Sequence, residues 1–420
     1  MNKKHILILG DVDSVKEYMD FFENQYSIIT SAYEFGLMPS SIKYAANAIY
    51  KIETPSYFDA TCFERNIEEI LKCVDKIIEH FGGIDCVVST HEHTVLPAAI
   101  IRTHYNIQGL KEDQARFLRD KNDMKLKISS KGILTPQFIY LEKNSYVNVI
   151  NNFIEQYHKV VLKPIDQAGS NDILVTENLE IAIKHVERLF KESKKVLLEQ
   201  YIDLPVMNFD GVAYNGEIQF LSVSQKVGNC YNYVQNRESI ATILLNKKEV
   251  YTKAKHYVEK CLSSLDIKSL VFHLEVFTSD MDNYVFLEIA GRYPGSGITN
   301  LIEKVFKIDL VKISYDLDCQ IPINPLQDDR IFNDIKPTAM LLLPSPVKKT
   351  ILIRGVSGIK QLPKNIIGSE IQSPGNLVRY SSIDAFQSLA RIYISDENLL
   401  DIENTINEIK SKIKFEYEEV

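Results

Sequence analysis

Two glutamates and an arginine between residues 271 and 299 have the types and spacing to act together in one site. Glu275 and Glu288 each lie within a short run of apolar, β-branched and aromatic residues, and a polar turn, residues 279–283, separates the two runs. This pattern predicts a β-hairpin with one carboxylate on each strand. A carboxylate among apolar residues is costly to desolvate unless it is paired or binds a metal ion. The hairpin is therefore a candidate metal site.

A glycine-rich loop with one fixed positive charge follows the second predicted strand. The loop reads GRYPGSG, from Gly291 to Gly297, and its charge is Arg292. An arginine guanidinium binds carboxylates and phosphates through paired hydrogen bonds, and Mg²⁺ prefers oxygen ligands. Two acids, an arginine and a flexible loop together predict a site for magnesium and phosphate.

A lysine and a glutamate near the ends of two further apolar runs extend this candidate site. Lys163 ends the run VVLKP, and a small polar loop, residues 167–172, follows it. A lysine beside a loop with free backbone N–H groups suits phosphate binding, although a lysine at a strand end also occurs simply as a side chain that reaches solvent. Glu199, in the run VLLEQYI, is interpreted as a buried acceptor for a ligand amine, with backbone groups beside it for a flat base.

The composition limits the class of protein. At 420 residues the chain is too long for one hydrophobic core, so two or three domains are expected. The net charge of -8 and the pI near 5.7 argue against nucleic-acid binding through a basic face. No apolar run approaches the ~20 residues that span a bilayer, and the six scattered cysteines indicate reduced thiols. We therefore expect a cytoplasmic protein with no nucleic-acid or membrane partner.

The first part of the chain alternates predicted strands and helices. The runs HILILG and IDCVVS are continuous and apolar, as is typical of buried parallel strands. Helices are predicted across residues 15–22 and 67–81, the second from its apolar periodicity. The fold class is therefore α/β, with a parallel-sheet domain from residue 1 to about 115.

The loop after the strand IDCVVS contains His91, Glu92 and His93. Loops at the carboxyl ends of parallel strands are where ligands bind. The two histidines, with Glu92 between them and His104 downstream, are residue types that zinc accepts. Polar loop groups and a helix cap are the interpretation that we favour for the histidines, and Glu92 is the better candidate for a substrate contact.

Two polar segments lie between the predicted strands. Residues 117–136 predict a helix on which Lys121, Lys125 and Lys127 are interpreted as a solvated face. Residues 225–239 are polar and rich in tyrosine, which predicts a mobile loop over a site. The chain has neither a GxxxxGK motif followed by Ser or Thr nor a GxGxxG motif after its first strand, so a nucleotide must be held in another way.

Five short motifs in this order resemble the ATP-grasp superfamily, and the resemblance covers most of the chain. The motifs are RDKNDM at 119–124, VVLKP at 160–164, LLEQYI at 197–202, HLEVF at 273–277 and FLEIAGRYPG at 286–295. The segments EIAGRYPGSGI and STHEHTVLPAAIIRTHYNIQGL are most similar to the carboxylate–amine ligases that join amino acids, the L-amino-acid (dipeptide) ligases.

The resemblance implies a division of the chain into four parts. These are a Rossmann-like domain (1–115), a small lid subdomain of the clamp (116–195), a central nucleotide and metal domain (196–325) and a C-terminal α/β cap (326–420). In the last part, residues 336–343, 351–359 and 390–394 are predicted strands and residues 397–413 a helix. The lid subdomain and the loop 225–239 are the segments expected to close over the reactants.

The resemblance also implies roles for individual residues. For ATP, the implied contacts are Lys121, Lys163, Gly169 and Ser170 to the phosphates, Glu199, Gln200 and Ile202 to adenine, and Asp210 to ribose. For the metal, they are Glu275 and Glu288, which would hold Mg²⁺ or Mn²⁺. For the substrates, they are Glu92, Lys226, His273, Arg292, Gly295, Ser296 and Gly297, with Arg292 and Lys163 as the catalytic pair.

Two positions depart from the family pattern. The loop after Lys163 has one glycine, Gly169, where many relatives have more. The acid that relatives use for ribose is replaced by Val206 or Met207, so Asp210 is the substitute that the sequence offers.

The implied activity is ligation of a carboxylate and an amine, here amino acids, with ATP and an acyl phosphate intermediate. Two alternatives stay open: a biotin-carboxylase-like or purine-pathway enzyme, and a catalytically silent ATP-binding regulator. Glu275, Glu288 and Arg292 argue against the silent regulator, since a site without turnover does not need paired buried acids. A homodimer is a further prediction.

Overall fold

The computed structural model describes residues 3–54, 60–324, 326, 335–379 and 388–420. The described strands are β1 (Lys4–Leu9), β2 (Asn24–Ser31), β3 (Ala48–Ile52), β4 (Cys86–Val88), β5 (Phe138–Leu141), β6 (Val160–Pro164), β7 (Leu174–Thr176), β8 (Val196–Gln200), β9 (Val206–Tyr214), β10 (Glu217–Val227), β11 (Ile240–Leu244), β12 (Leu270–Phe277), β13 (Val285–Ala290), β14 (Thr338–Pro344), β15 (Ile351–Ser357), β16 (Ile366–Ile371), β17 (Leu377–Val378), β18 (Ser388–Ser395) and β19 (Lys414–Glu419). The described α-helices are α1 (Ala32–Leu37), α2 (Ser40–Ala45), α3 (Cys62–Arg65), α4 (Ile67–Phe81), α5 (Val95–His104), α6 (Glu112–Phe117), α7 (Lys121–Ser129), α8 (Tyr146–Tyr157), α9 (Leu179–Lys191), α10 (Cys230–Asn236), α11 (Lys248–Ser264), α12 (Ile298–Phe306), α13 (Leu310–Asp318) and α14 (Leu399–Lys412). Among these described helices, none has the length and apolar character needed to cross a bilayer.

The N-terminal part is a parallel sheet with strand order β3-β2-β1-β4. Residues of β1 and β4 are almost fully buried, and α4 packs its apolar stripe on this sheet. The predicted α/β fold class is therefore confirmed. The helix predicted over residues 15–22 is wrong, because only a short 3-10 turn, Lys16–Tyr18, forms there. Asp11 accepts from the backbone N–H of Asp13, so the polar residues close a turn of their own and do not cap a helix.

The second part is a four-stranded antiparallel sheet with strand order β5-β8-β6-β7. Helices α8 and α9 bury their apolar faces against it. In this sheet β8 lies between β5 and β6. The predicted domain boundaries placed β8 in the central segment 196–325 instead. Lys163 and Glu199 lie on neighbouring strands of this sheet, β6 and β8.

The third part is an eight-stranded sheet with strand order β13-β12-β9-β10-β11-β14-β18-β16. Strands β12 and β13 form the predicted hairpin, and α11 covers one face of the sheet. The C-terminal strands β14, β18 and β16 complete this sheet, while β17, β15 and β19 form a separate small one. The three strands and the helix predicted in the C-terminal part are therefore present, whereas β16, β17 and β19 were not predicted.

The segment 225–239 is not a loop over the site, as its polar composition predicted. Strand β10 continues to Val227, and the helix α10 follows from Cys230 to Asn236. Asn229 caps this helix by accepting from the backbone N–H of Asn232. Tyr233 and Val234 of α10 are buried against the sheet, so the tyrosines that suggested mobility take part in packing.

Gly211 in the middle of β9 is expected to tolerate no side chain. A Cβ at this position would lie 2.4 Å from the carbonyl oxygen of Phe220 and 2.7 Å from the ring of Phe272. Backbone atoms cannot move away cheaply, so Gly211→Ala should lower the free energy of unfolding by about 2 kcal/mol or more. Gly36→Ala is the matched control, because a Cβ at Gly36 would have no other atom within 4 Å. Chemical denaturation of both variants measures the difference, and an equal effect would contradict the prediction.

Candidate active site

The two hairpin glutamates are direct cross-strand neighbours. Glu275 on β12 is paired in register with Glu288 on β13, and their side chains are 12% and 38% exposed. Like charges directly opposite each other on a sheet are unfavourable unless a cation lies between them. In the part of the chain that the structure describes, no group of three or more His, Cys, Asp or Glu forms a complete metal site. Two carboxylates alone suit Mg²⁺, which keeps waters and takes phosphate oxygens as its other ligands.

Glu275 is held by two basic groups on its own face of the sheet. Lys226 Nζ and His273 Nε2 both contact Glu275 Oε1, the histidine at 3.2 Å. Burial disfavours the charged form of Glu275, but Lys226 and His273 outweigh burial and hold its pKa below the usual range. Burial also opposes the charged ring of His273, yet Asp210 and Glu275 raise the pKa of His273 to about 9.

Two lysines and one glutamate form a buried group, with Lys163 on β6, Glu199 on β8 and Lys125 on α7. Lys163 Nζ is 2.8 Å from Glu199 Oε1, and Lys125 Nζ is 3.4 Å from the same oxygen. Lys125 also donates to the carbonyl oxygen of Leu287, at 2.9 Å. Its side chain is fully buried, so the interpretation of Lys125 as part of a solvated face is wrong. Burial is the main reason that the pKa of Lys125 falls to about 8.

Lys121 links the loop after β6 with the acid pair. Its Nζ donates to the carbonyl oxygen of Gln167 at 2.5 Å and lies 3.8 Å from Glu288 Oε2. Burial lowers the pKa of Lys121. Gly169 and Ser170 form the bend of this loop with φ values of 67° and 58°, and the backbone of Ser170 is therefore in the left-handed region. The structure thus brings Lys121 close to both the predicted phosphate loop and the predicted metal ligands.

Glu92 joins the N-terminal sheet to the glycine-rich loop. Its Oε2 accepts from Arg292 Nε at 2.7 Å, and its Oε1 accepts from Arg119 Nη1 at 2.8 Å. Burial raises the pKa of Glu92, but Arg292 and Arg119 outweigh it and lower this pKa to about 2. Glu92 therefore stays ionised at neutral pH and fixes the guanidinium of Arg292.

Arg119 is a central residue of the site for which the sequence predicted no role. It is 3% exposed, pairs with Glu64 at 2.9 Å as well as with Glu92, and donates to the carbonyl oxygens of Ala60 and Asp166. Arg119 thus connects the N-terminal part with the loop after β6. The signal in the sequence was its place in RDKNDM, directly before the aspartate that caps α7.

The two histidines of the loop after β4 have separate partners. His91 Nε2 is 3.2 Å from Asp11 Oδ2, and His93 Nε2 is 3.2 Å from Glu34 Oε1. His104 is exposed at the end of α5 and contacts the ring of Tyr105 edge to face. Each histidine therefore contacts a different carboxylate, as expected of polar loop groups, whereas the predicted helix cap is wrong, because no described side chain caps α5 at Thr94.

The remaining predicted contact residues lie in three places. Gln200 and Ile202 lie at and just beyond the end of β8 and are partly exposed. Gly295, Ser296 and Gly297 are partly exposed and lead into α12, and Ser296 and Gly297 have φ values of 56° and 87°. Asp210, the substitute for the ribose acid, is fully buried on β9 and contacts His273.

Comparisons with known proteins agree with this architecture, although no protein-family model matches the chain. The L-arginine-specific L-amino acid ligase of Bacillus subtilis is 24% identical over 283 residues, which cover 64% of this chain and 65% of that protein. The match therefore spans slightly less than two thirds of the length of this relative. The alanine–anticapsin ligase of Bacillus subtilis strain 168 is 20% identical, over 83% of this chain and 80% of its own.

Solved structures match over nearly the whole length. The L-amino acid ligase of Bacillus licheniformis superposes with a TM-score of 0.69 at 17% identity and covers all of both chains. The biotin carboxylase domain of the Hydrogenobacter thermophilus 2-oxoglutarate carboxylase, in complex with MgADP, ADP and bicarbonate, gives a TM-score of 0.65 at 16% identity, over 99% of this chain and 91% of its own. The chain therefore has the ATP-grasp fold of these structures and is similar in sequence to amino acid ligases.

Proposed function

We propose that this protein is an ATP-dependent ligase that joins the carboxylate of one amino acid to the amine of another. The observation that carries the proposal is the guanidinium of Arg292, which lies in the loop directly after the strand that carries Glu288. Arg292 follows the strand of Glu288, and Glu92 holds its Nε. Nη1 donates to the carbonyl oxygen of Tyr293, and among the described residues none accepts from Nη2. That nitrogen is left for an anionic ligand.

In this proposal the chain's own cations hold the nucleotide. Lys121 and Lys163 reach the phosphates, and the loop with Gly169 and Ser170 offers backbone N–H groups to them. Glu275 and Glu288 hold Mg²⁺, which neutralises charge on the phosphates when it is bound. Adenine lies against the end of β8, near Gln200 and Ile202. Glu199 contacts Lys163, so a ligand amine that binds Glu199 would compete with this ion pair.

The proposed reaction has two steps. A carboxylate oxygen of the first substrate attacks the γ-phosphorus of ATP, the bond to the bridging oxygen breaks, and an acyl phosphate and ADP form. The amine of the second substrate then attacks the acyl carbon, loses a proton and releases inorganic phosphate. Arg292 orients the carboxylate and the phosphoryl group, while Glu92, Lys226, His273 and residues 295–297 lie around the substrates. Such a reaction depends on positioning and charge neutralisation, and the buried cations supply both.

Amino acid substrates are proposed because of the relatives. The sequence relatives carry the names of an L-amino acid ligase and of an alanine–anticapsin ligase. The cofactors ATP and Mg²⁺ are proposed from the site and from the MgADP in the related biotin carboxylase domain. A homodimer and a cytoplasmic location stay predictions.

A screen of ADP release tests the proposal. The purified full chain is given ATP and Mg²⁺ with each common amino acid alone, with pairs of amino acids, and with bicarbonate. We expect ADP and phosphate to form with particular pairs, and mass spectrometry to find a product lighter than the pair by one water. Chelation of Mg²⁺ should stop the reaction, because the two carboxylates then have no cation between them.

The alternatives give different results in the same screen. Turnover with bicarbonate and with no pair would indicate a carboxylase-type enzyme and contradict the proposal. ATP binding without turnover under any condition would indicate a regulator. The Glu288→Gln protein serves as the background for contaminating ATPases.

A further inference from the structure

Four charged residues form a continuous row on one face of the eight-stranded sheet. Asp210 on β9 lies opposite His273 on β12, Glu275 is two residues further along the same strand, and Lys226 is on β10. His273 Nδ1 is 2.5 Å from Asp210 Oδ1, and its Nε2 is 3.2 Å from Glu275 Oε1. Lys226 Nζ contacts the same oxygen of Glu275. Side chains at i and i+2 of a strand share a face, so this row is a consequence of strand register.

The row leaves the two oxygens of Glu275 in different situations. Oε1 accepts from both His273 and Lys226, whereas Oε2 has no hydrogen-bond partner among the described residues. A carboxylate that is held by one oxygen and open at the other is ready to bind a cation through the open oxygen. Groups behind metal ligands commonly set the orientation of the ligand in this way.

The contact with His273 is the one side-chain interaction of Asp210 among the described residues. Asp210 is fully buried, its Oδ1 contacts His273, and its Oδ2 is buried without a hydrogen-bond partner in the described structure. A buried carboxylate with an unsatisfied oxygen is destabilising by itself, so its presence calls for an explanation. Its burial also leaves no surface for a ribose hydroxyl.

We propose that Asp210 and His273 are positioning residues that hold Glu275 in the orientation needed for the divalent cation. The inference rests on the proposed function, because it takes Glu275 as a metal ligand. It reassigns Asp210 from ribose binding and His273 from substrate contact. Asp210 binds one nitrogen of the His273 ring and fixes its orientation, so the other nitrogen is held as a hydrogen-bond donor to Glu275. Carboxylate–histidine pairs behind metal sites act in this way.

Asp210→Asn tests the inference, since asparagine keeps the shape of the side chain and removes its charge. The full chain is titrated with Mn²⁺ in the presence of saturating ADP, and free Mn²⁺ is measured by electron paramagnetic resonance. The affinity for ADP without metal is measured separately in EDTA. We expect the Mn²⁺ dissociation constant to rise about 10-fold or more, with the metal-free ADP affinity unchanged within about twofold.

Two further variants control for effects on packing and folding. Ser222→Ala is the matched control, because Ser222 lies opposite Asp210 on β10, is equally buried, and does not contact His273. Its Mn²⁺ affinity should equal that of the wild type. The double variant Asp210→Asn with His273→Gln removes both buried charges together, so it leaves no unpaired charge if the single variant folds poorly. It should show the same loss of Mn²⁺ affinity.

Three outcomes would overturn the inference. Unchanged Mn²⁺ affinity in both Asp210 variants would mean that the row only ties β9 to β12. A lower affinity for metal-free ADP with unchanged Mn²⁺ affinity would mean that Asp210 contacts ribose after all. A wild-type protein that takes up no Mn²⁺ with ADP would remove the metal site itself and the proposed function with it, and that result is distinct from the first two.

Discussion

Glu288→Gln is expected to abolish magnesium-dependent turnover while the fold stays intact. Glutamine has the same shape but is a much weaker ligand for Mg²⁺, so the transferred phosphoryl group loses the stabilisation that the cation supplies. Such stabilisation is worth several kcal/mol, and a loss of roughly 4 kcal/mol is a decrease in kcat of about 1,000-fold. Steady-state measurement of ADP release in the presence of the active amino acid pair gives this value.

Stability should respond far less than activity. Glu288 is 38% exposed, and its neutralisation removes both the repulsion from Glu275 opposite and the attraction to Lys121 at 3.8 Å, two changes of opposite sign. The midpoint of thermal unfolding should therefore change little. Glu217→Gln is the control, since Glu217 is exposed at the other end of the same sheet and should retain full activity. Near-normal turnover of Glu288→Gln would disprove the metal assignment.

Arg292→Lys should reduce kcat/KM for the carboxylate substrate by about 100-fold, the usual effect of losing one preorganised donor to a developing charge. The guanidinium binds Glu92 through Nε and the Tyr293 carbonyl through Nη1, and it keeps Nη2 for a ligand. A lysine ammonium is a point charge without this planar fork. If it reaches Glu92, it cannot also face the substrate. The measurement is kcat/KM for the carboxylate substrate at saturating ATP.

The affinity for ADP separates this effect from general damage. Arg292 is proposed to contact the carboxylate and the transferred phosphoryl group, so binding of ADP should stay within about twofold of the wild type. Arg116→Lys is the matched control, because Arg116 forms an exposed pair with Glu112 within one helix. Exposed pairs of this kind contribute little to stability. An unchanged kcat/KM in Arg292→Lys would refute the role of Arg292.

The hairpin and its acids were predictable because they depend on local patterns. Two short runs of apolar, β-branched and aromatic residues predicted β12 and β13, and the turn between them brings Glu275 and Glu288 into register. Lys163 was recognised by the same argument, since a charge at the end of an apolar strand is conspicuous. The prediction of a solvated face failed for Lys125, because a helix pattern does not reveal what covers each side of the helix. Tertiary packing places this lysine against Glu199 and Leu287.

The connections between the parts of the site were not predictable. Glu92 and Arg292 are 200 positions apart, and Arg119 joins Glu64, Glu92 and the carbonyl of Asp166. Such pairs depend on how whole domains pack, which no local pattern encodes. The loop prediction for residues 225–239 failed for a related reason. Polar residues become ordered when they find hydrogen-bond partners in the fold, as Asn229 does when it caps α10.

By itself, the sequence determined which charged residues stand at the ends and turns of buried strands, and hence the chemistry that the site has available. The tertiary structure decided which partner each charge has. Partners matter because a buried charge is stable only when another charge or a donor compensates it. Asp210 shows this most clearly: the sequence offered it to ribose, whereas strand register buries it behind His273 and Glu275.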